Sequence, residues 1–169
     1  MYIDQVKQFA TILGNLDGCL VKAVAYAERK PFDVSVLLNA RLFPDMFPLS
    51  RQVQAACDAA KFAAARSSGK EAPKHPDTET TVDELRARIR SVVEFLGTFD
   101  AADFEGAATR LVPLGFFPGK ALLGADYFTR LATPNFYFHA TTAYDILRHN
   151  GVDVGKADFI GHQLPLRDL

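Results

Sequence analysis

Apolar residues recur at spacings of three and four along three long stretches of the chain, a pattern typical of amphipathic helices. The first predicted helix extends from Tyr2 to about Glu28, and the second extends from Leu49 to about Ser67. Alanines form the inner face of the second helix, which allows a neighbouring helix to pack closely. The third helix runs from Val82 to about Phe99, and a capping box formed by Thr81 and Glu84 marks its start.

Two connections separate these helices. Residues 30–49 are rich in proline and aromatic side chains and contain VSVLLNARL, which fits either a strand or one helical turn. Residues 66–80 are polar and interrupted by two prolines, so a loop is predicted there. His75 in this loop is interpreted as solvated. The basic residues Arg86, Arg88 and Arg90 of the third helix are likewise interpreted as a solvated face.

Helical periodicity stops between residues 100 and 133, where glycine and proline become frequent. The segments AATRLVPL and LLGADYFTRLA flank the turn-forming sequence GFFPGK, and this arrangement predicts two short strands in a β-hairpin. A hairpin alone is only marginally stable in water, so this one is expected to pack against the helices.

A fourth helix is predicted over residues 134–151, PNFYFHATTAYDILRHNG. Thr133 is the predicted N-cap, Pro134 occupies the first helical position and Gly151 ends the helix. One face is apolar and carries Phe136, Ala140, Ala143 and Leu147. His139 lies beside this face, so its ring is predicted to face the interior. After Gly151, one short turn at residues 156–160 is predicted, followed by a tail over the surface.

Composition restricts the classes of function. The chain has 169 residues, the size of one domain with a core, so a single domain over residues 1–169 is predicted. The net charge of −1 provides no electrostatic attraction for nucleic acid or an anionic membrane. No apolar run approaches the roughly 20 residues that span a bilayer, and no signal peptide is recognisable, so a cytoplasmic location is predicted. Cys19 and Cys57 are predicted to be buried free thiols.

The chain contains no common catalytic or phosphate-binding motif, so isolated polar residues near the core become the candidates. His139 is the first, because a buried imidazole needs a hydrogen-bond partner. It is either a core histidine bonded to a carboxylate or carbonyl, or a ligand or general base facing a cleft. Asp45 and Gln52 near the start of the second helix would reach it, provided that the second and fourth helices run in the same direction.

Two further groups of polar residues can be explained without a catalytic role. Tyr144 lies on the other flank of the fourth helix, where it either packs in the core with its hydroxyl at an edge or lines the same cleft as His139. Gln54, Asp58 and Lys61 form a polar stripe on the second helix, which is interpreted as a solvated face.

Several segments together resemble a known family. They are the long first helix, LFPDMFPL before the second helix, the Thr81 capping box and the stretch PNFYFHATTAYDILRHNGVDVGKADFIG. These segments resemble a family of bacterial proteins that is similar to the DinB/YfiT-like superfamily. The resemblance covers nearly the whole chain. It implies an all-α fold, a DinB-like four-helix bundle with a small inserted β-hairpin between helices three and four, and often a homodimer.

The resemblance also bears on cofactors, because some superfamily members are metal-dependent and some are thiol-dependent transferases. The superfamily's metal site uses one histidine near the start of helix two and two histidines four apart on the last helix. Here His139 matches one position of that pair, but Ala143 and Asn135 stand four residues away on either side. Asp45 or Gln52 would have to replace the histidine of helix two. A catalytic transition metal normally has three protein ligands, so the incomplete triad argues against a divalent metal.

Two hypotheses about function follow. In the first, the protein is a DinB-like enzyme, a degenerate metal-dependent or thiol-transferase-like enzyme on a small molecule. His139 would then be the ligand or base, with Asp45, Gln52 and Tyr144 lining the cleft. In the second, the protein is a non-catalytic dimeric helical domain that binds a small apolar ligand and has lost the metal site. Helix connections of the up-and-down or the crossover type fit both hypotheses.

Overall fold

The computed structural model describes residues 1–161 and residue 167. The helices within this part are α1 Tyr2–Arg29, α2 Ser35–Asn39, α3 Leu49–Ser68, α4 Val82–Gly97, α5 Gly124–Asp126, α6 Thr133–His149 and α7 Lys156–Ile160. Strands β1 Leu111–Pro113 and β2 Ala121–Leu123 form an antiparallel pair between α4 and α6, with Val112 opposite Leu122. The predicted all-α bundle with a small inserted hairpin is therefore confirmed.

The long helices α1, α3, α4 and α6 share one hydrophobic core. Phe9 of α1 and Phe136 of α6 are fully buried in it, and their ring centroids lie 4.4 Å apart. The capping box is present, because the Thr81 hydroxyl accepts from the Glu84 backbone N–H and the Glu84 carboxylate accepts from the Thr81 N–H. The amphipathic periodicity thus predicted the long helices and the buried face of each.

Side-chain contacts define the direction of each helix. Near the start of α1, the Gln5 amide donates to the Tyr137 hydroxyl near the start of α6, so α1 and α6 run in the same direction. The start of α3 meets α6 through Gln52 and His139, whereas Arg66 near the end of α3 lies over the Tyr127 ring, which precedes α6. Helix α3 therefore runs antiparallel to α6.

Residues 69–81, here called the strap, return along α3 before α4 begins. His75 of the strap contacts Lys61, and Glu79 contacts Gln54, seven residues nearer the start of α3. An extended segment of about 13 residues reaches about 40 Å, which exceeds the roughly 30 Å length of a 20-residue helix. Helix α4 therefore runs parallel to α3, and the bundle has a crossover connection with the order up, down, down, up.

The last long helix starts earlier than the sequence predicted. Residues 124–149 are helical without interruption, and the Tyr127–Ala132 segment is a π-helix in which the Thr133 N–H donates to the carbonyl of Phe128. The prediction of Thr133 as N-cap and Pro134 as first helical residue is wrong. Proline inside a helix has no backbone N–H to donate, and its ring crowds the carbonyl four residues earlier. A wider π turn relieves that crowding.

Strand prediction succeeded for the position of the hairpin and failed for its length. Only Leu111–Pro113 of AATRLVPL is extended, and LLGADYFTRLA leaves the sheet after Leu123. From Gly124 onwards the apolar residues pack as a helix, and Tyr127 and Phe128 are buried in the core. The segment was mistaken for a strand because a short apolar run fits both periods.

Gly124 lies where the hairpin joins the helix, and we expect its replacement by alanine to be strongly destabilising. A Cβ atom there would lie 1.9 Å from the Ala107 carbonyl oxygen, a backbone atom that cannot rotate away. Overpacking against backbone predicts a loss of about 3 kcal/mol in the free energy of unfolding, measurable by urea denaturation. The matched control is Gly115→Ala in the same insertion, where a Cβ would meet no heavy atom within 4 Å. Equal stability of the two variants would contradict this expectation.

Other sequence predictions are resolved by the structure. The segment VSVLLNARL contains the short helix α2, not a strand. Cys19 and Cys57 are free and buried, as predicted. The predicted turn at residues 156–160 is helix α7, whereas most of the predicted surface tail, residues 162–166 and 168–169, lies outside the described residues. Among the described residues, no helix combines the length and apolar composition that crossing a membrane requires.

Candidate functional site

His139 contacts Gln52 where α6 crosses the start of α3. Because the helical segment begins at Gly124, His139 lies in its middle, which explains how it reaches α3 although the two helices are antiparallel. The distance from His139 Nδ1 to Gln52 Oε1 is 2.7 Å. Gln52 is only 1% exposed, and its Nε2 donates to the Phe47 carbonyl at 3.3 Å. Gln52 therefore reaches His139, as expected. The expectation assumed that the two helices run in the same direction, whereas α3 and α6 are antiparallel.

The hydrogen bonds of Gln52 determine which imidazole nitrogen carries the proton. A backbone carbonyl only accepts, so the Gln52 amide must direct its NH₂ group to Phe47 and its Oε1 to His139. Oε1 also only accepts, and Nδ1 must therefore donate. Nε2 of the neutral ring then carries a lone pair. It has no described partner and is not among the buried atoms that lack one, so it is not fully buried.

The surroundings of His139 favour the neutral imidazole. Burial lowers its pKa below the ordinary value of 6.5, and the positive charge of Arg51 acts in the same direction. The ring is stacked against Phe47 at 6.3 Å between centroids, and Phe138 contacts its edge at 5.2 Å. At neutral pH the site therefore presents an uncharged imidazole with a free acceptor at Nε2.

Tyr144 and Asp45 do not belong to this group. Five residues along α6 turn a side chain by about 140° from His139, and Tyr144 instead packs edge-on against Phe159 of α7 at 5.7 Å. Asp45 is exposed in the loop before α3, and no hydrogen bond or ion pair among the described residues joins it to His139. Both were predicted to line the cleft at His139, and the structure does not bring either one there.

The donor set at His139 does not suit a catalytic transition metal. Across residues 1–161 and 167, no group of three or more His, Cys, Asp or Glu side chains is placed to hold a metal ion. Gln52, at the position considered for a replacement ligand, already uses Oε1 to accept from Nδ1. An amide and one imidazole provide fewer than the three ligands that a catalytic site usually has.

A buried ion cluster, which the sequence pattern did not indicate, lies between α3, the strap and α4. Its centre is Arg88, whose side chain is 1% exposed and contacts Asp77 at 2.6 Å, Glu79 at 3.0 Å and Asp58 at 2.6 Å. Arg88 was interpreted as solvated, which is wrong. The sequence signal that could have indicated the cluster is the position of Arg88 in the helical repeat, one residue before the buried Ile89.

The polar stripe of α3 belongs to the same cluster. Gln54 and Lys61 are buried, and Lys61 Nζ donates to Asp58 at 2.7 Å and to His75 Nδ1 at 3.0 Å. The prediction of a solvated stripe, and of a solvated His75, is therefore wrong. Burial lowers the pKa of His75, and the Lys61 charge adds to that effect, so the imidazole is neutral and accepts from the ammonium. The strap covers these residues, which is why the stripe is not solvated.

The fold is an up-down-down-up helical bundle, in which His139 lies between the second and the last long helices. The chain belongs to the family described as domain of unknown function DUF1993, whose model matches residues 1–160. A solved structure of a DinB family member from Shewanella denitrificans is 51% identical in sequence. The match covers 97% of this chain and 93% of that chain, with a TM-score of 0.92. No curated protein matches the chain.

Proposed function

We propose that this protein is a metal-independent, thiol-transferase-like enzyme in which His139 accepts a proton from a bound small molecule. The observation that supports this function is the chain of hydrogen bonds from the Phe47 carbonyl through Gln52 to His139. It assigns the lone pair to Nε2, which is the form that a general base requires. Gln52 Oε1 would also accept from the imidazolium Nδ1–H that forms when Nε2 takes up the proton.

A thiol is the nucleophile that suits this base. A histidine with a pKa somewhat below 6.5 is unprotonated at pH 7, and a thiol has an ordinary pKa near 8.5. In the proposed step, the S–H proton moves to Nε2 and the thiolate attacks the electrophilic carbon of a second small molecule. The leaving group departs with the electron pair, and the imidazolium then returns its proton to solvent or to the leaving group.

A second candidate function is the binding of a small apolar ligand without catalysis. It is favoured by the aromatic rings next to His139, because Phe47 and Phe138 contact the imidazole and are nevertheless 48% and 56% exposed. Exposed aromatic side chains in one place often mark a binding surface. In this alternative, Nε2 accepts a hydrogen bond from the ligand, and no proton is transferred.

The assigned tautomer can be tested by ¹⁵N NMR of histidine-labelled protein. At pH 7 we expect the His139 spectrum to show a protonated Nδ1 and an unprotonated Nε2, with an apparent pKa below 6.5. Small thiols and apolar compounds are then added, and a bound compound is expected to shift the Nε2 signal. The exposed His149 in the same helix serves as the internal reference.

The matched variant for this test is Gln52→Leu, which keeps the side-chain size and removes both hydrogen bonds. We expect the preference for a protonated Nδ1 to disappear in this variant. A proton on Nε2 of His139 in the unmodified protein at pH 7 would contradict the assignment. Shifts at His149 equal to those at His139 would show that the added compounds act without a site.

From the chain length and composition we also propose that residues 1–169 form one domain of a cytoplasmic protein, and from the family resemblance that the protein is a homodimer. The predicted small-molecule ligand belongs to this proposal, as does the prediction that neither nucleic acid nor a membrane is a partner. The alanine-rich inner face of α3 is not available for dimer contacts, because those alanines are buried in the core. A dimer would have to use other surfaces.

A further inference from the structure

Arg66 of α3 has no acidic partner in the part of the chain that the structure describes, unlike the nearby Lys61 and Lys70. Lys61 on the same helix pairs with Asp58 at 2.7 Å, and Lys70 of the strap pairs with Asp103 at 2.6 Å. The guanidinium of Arg66 lies 4.7 Å from the Phe62 centroid and 5.9 Å from the Tyr127 centroid, and it also donates a hydrogen bond to the Tyr127 hydroxyl. A positive charge is thus held in place without being neutralised.

The ring contacts and the single hydrogen bond to Tyr127 leave most N–H donors of the guanidinium available. Arginine has five N–H donors in one plane, and aromatic stacking uses the face of that plane and not its edge. Because the ring contacts and the hydrogen bond to Tyr127 restrict the side chain, it loses less conformational freedom when it binds a ligand. This is a suitable arrangement for the recognition of a carboxylate or a phosphate.

Arg66 lines two cavities on either side of α3. A cavity of about 330 Å³ lies between α3 and the helical segment that begins at Gly124, and its wall is completed by Phe116 of the hairpin turn, Leu131 and Asn135. Another of about 500 Å³ lies between α3 and the strap. Volumes from roughly 300 Å³ upwards are typical of small-molecule sites. The first cavity combines apolar side chains with Arg66 and with Arg51, whose charge is paired with Asp77.

Other charges at these cavities do not compensate Arg66. Asp58 lines both cavities, but it already binds Lys61 and Arg88. At the second cavity, Lys74 and Glu71 have no described partners and offset each other in sign. One positive charge therefore remains, and it is the charge of Arg66.

We propose that Arg66 binds the anionic group of a small organic molecule whose apolar body occupies the 330 Å³ cavity between α3 and the helical segment that begins at Gly124. A carboxylate and a phosphate monoester share the required chemistry, two or more acceptor oxygens with negative charge. This site goes beyond the proposed function and does not depend on proton transfer to His139.

The test is isothermal titration calorimetry with benzoate, phenyl phosphate and the neutral benzamide at low salt. We expect saturable 1:1 binding of at least one anion, and at least tenfold weaker binding of benzamide. Arg66→Met is expected to weaken binding of that anion at least about tenfold, which corresponds to the loss of a charge-assisted hydrogen bond. Arg66→Lys keeps the charge without the planar group and is expected to bind with intermediate affinity.

The matched control is Arg148→Met, which removes an exposed arginine of α6 that lines neither cavity. We expect its affinities to equal those of the unmodified protein. Tighter binding of benzoate would identify a carboxylate ligand, and tighter binding of phenyl phosphate a phosphate ligand. Absence of saturable anion binding, equal affinity for benzamide, or equal affinity in the Arg66→Met variant would overturn the proposal. The heat of binding is measured without turnover, so failure here is distinguishable from failure of the proposed function.

Discussion

Arg88→Met is expected to lower the free energy of unfolding by about 3–5 kcal/mol. Methionine fills much of the space but leaves Asp58, Asp77 and Glu79 without the guanidinium that joins them. Removing one partner of a buried ion cluster is costly because the remaining charges keep their desolvation penalty. Urea denaturation at pH 7 measures the loss, and hydrogen exchange should show reduced protection in the strap first.

The control for this variant is Arg86→Met, two residues earlier in the same helix. Arg86 pairs with Asp17 at 2.8 Å, but both side chains are partly exposed, so we expect a loss of only about 0–1 kcal/mol. Losses of equal size in the two variants would show that the cluster contributes no more than a surface pair.

The pH dependence provides a second check of the ion cluster. Burial acts to raise the pKa values of Asp77 and Glu79, but other contacts outweigh it and hold both below their ordinary values. For Asp77 these are hydrogen bonds and charges of Arg51 and Arg88, and for Glu79 they are a backbone hydrogen bond followed by Arg88. A carboxylate with a lowered pKa contributes stability above its ordinary pKa, and that contribution is lost as the pH falls through the lowered value. The difference in stability between the unmodified protein and Arg88→Met should therefore shrink below about pH 4.

His139→Ala is expected to lower the rate of thiol transfer about 10²–10⁴-fold, the usual contribution of a general base. Initial rates are measured at pH 7 with a panel of small thiols and a soluble activated aryl halide. Removing a metal with a chelator is expected to leave the rate of the unmodified protein unchanged. As the pH is raised, the rate should increase through the His139 pKa, because the neutral imidazole is the active form.

His149→Ala is the matched control for this second variant, since His149 is an exposed histidine at the end of the same helix. Its rates should equal those of the unmodified protein. Retained turnover in His139→Ala, or turnover that disappears with the chelator, would contradict the proposed role. If His139 binds compounds but no thiol in the panel reacts, the binding of an apolar ligand becomes the better explanation.

Contacts between distant residues explain why the site was only partly predictable. The apolar repeat of the last helix correctly placed His139 beside its buried face, and Gln52 was one of two residues considered as its neighbour. The two residues are 87 positions apart, so their contact depends on the directions of α3 and α6. The helix directions depend on the strap, and the point along the last helix that meets α3 depends on the early start at Gly124. Neither feature has a local signal as clear as a capping box.

The ion cluster was not predictable for the same reason, because it also depends on contacts between distant residues. Arg88, Lys61 and His75 are polar, and polarity alone predicts exposure. Each is buried because groups of opposite charge or complementary hydrogen bonding arrive from other elements, such as Asp58 on α3, 30 residues from Arg88. A pattern along one helix cannot contain that information.

The sequence by itself determined the long helices, their buried faces, the Thr81 cap, the position of the hairpin and the family resemblance. These features depend on residues within a few positions of one another, where helical period and capping chemistry act. The tertiary structure decided the crossover topology, the π turn before Pro134, the tautomer of His139, the burial of Arg88 and the unpaired charge of Arg66. Each of these depends on which groups meet across elements, and that is established only when the core packs.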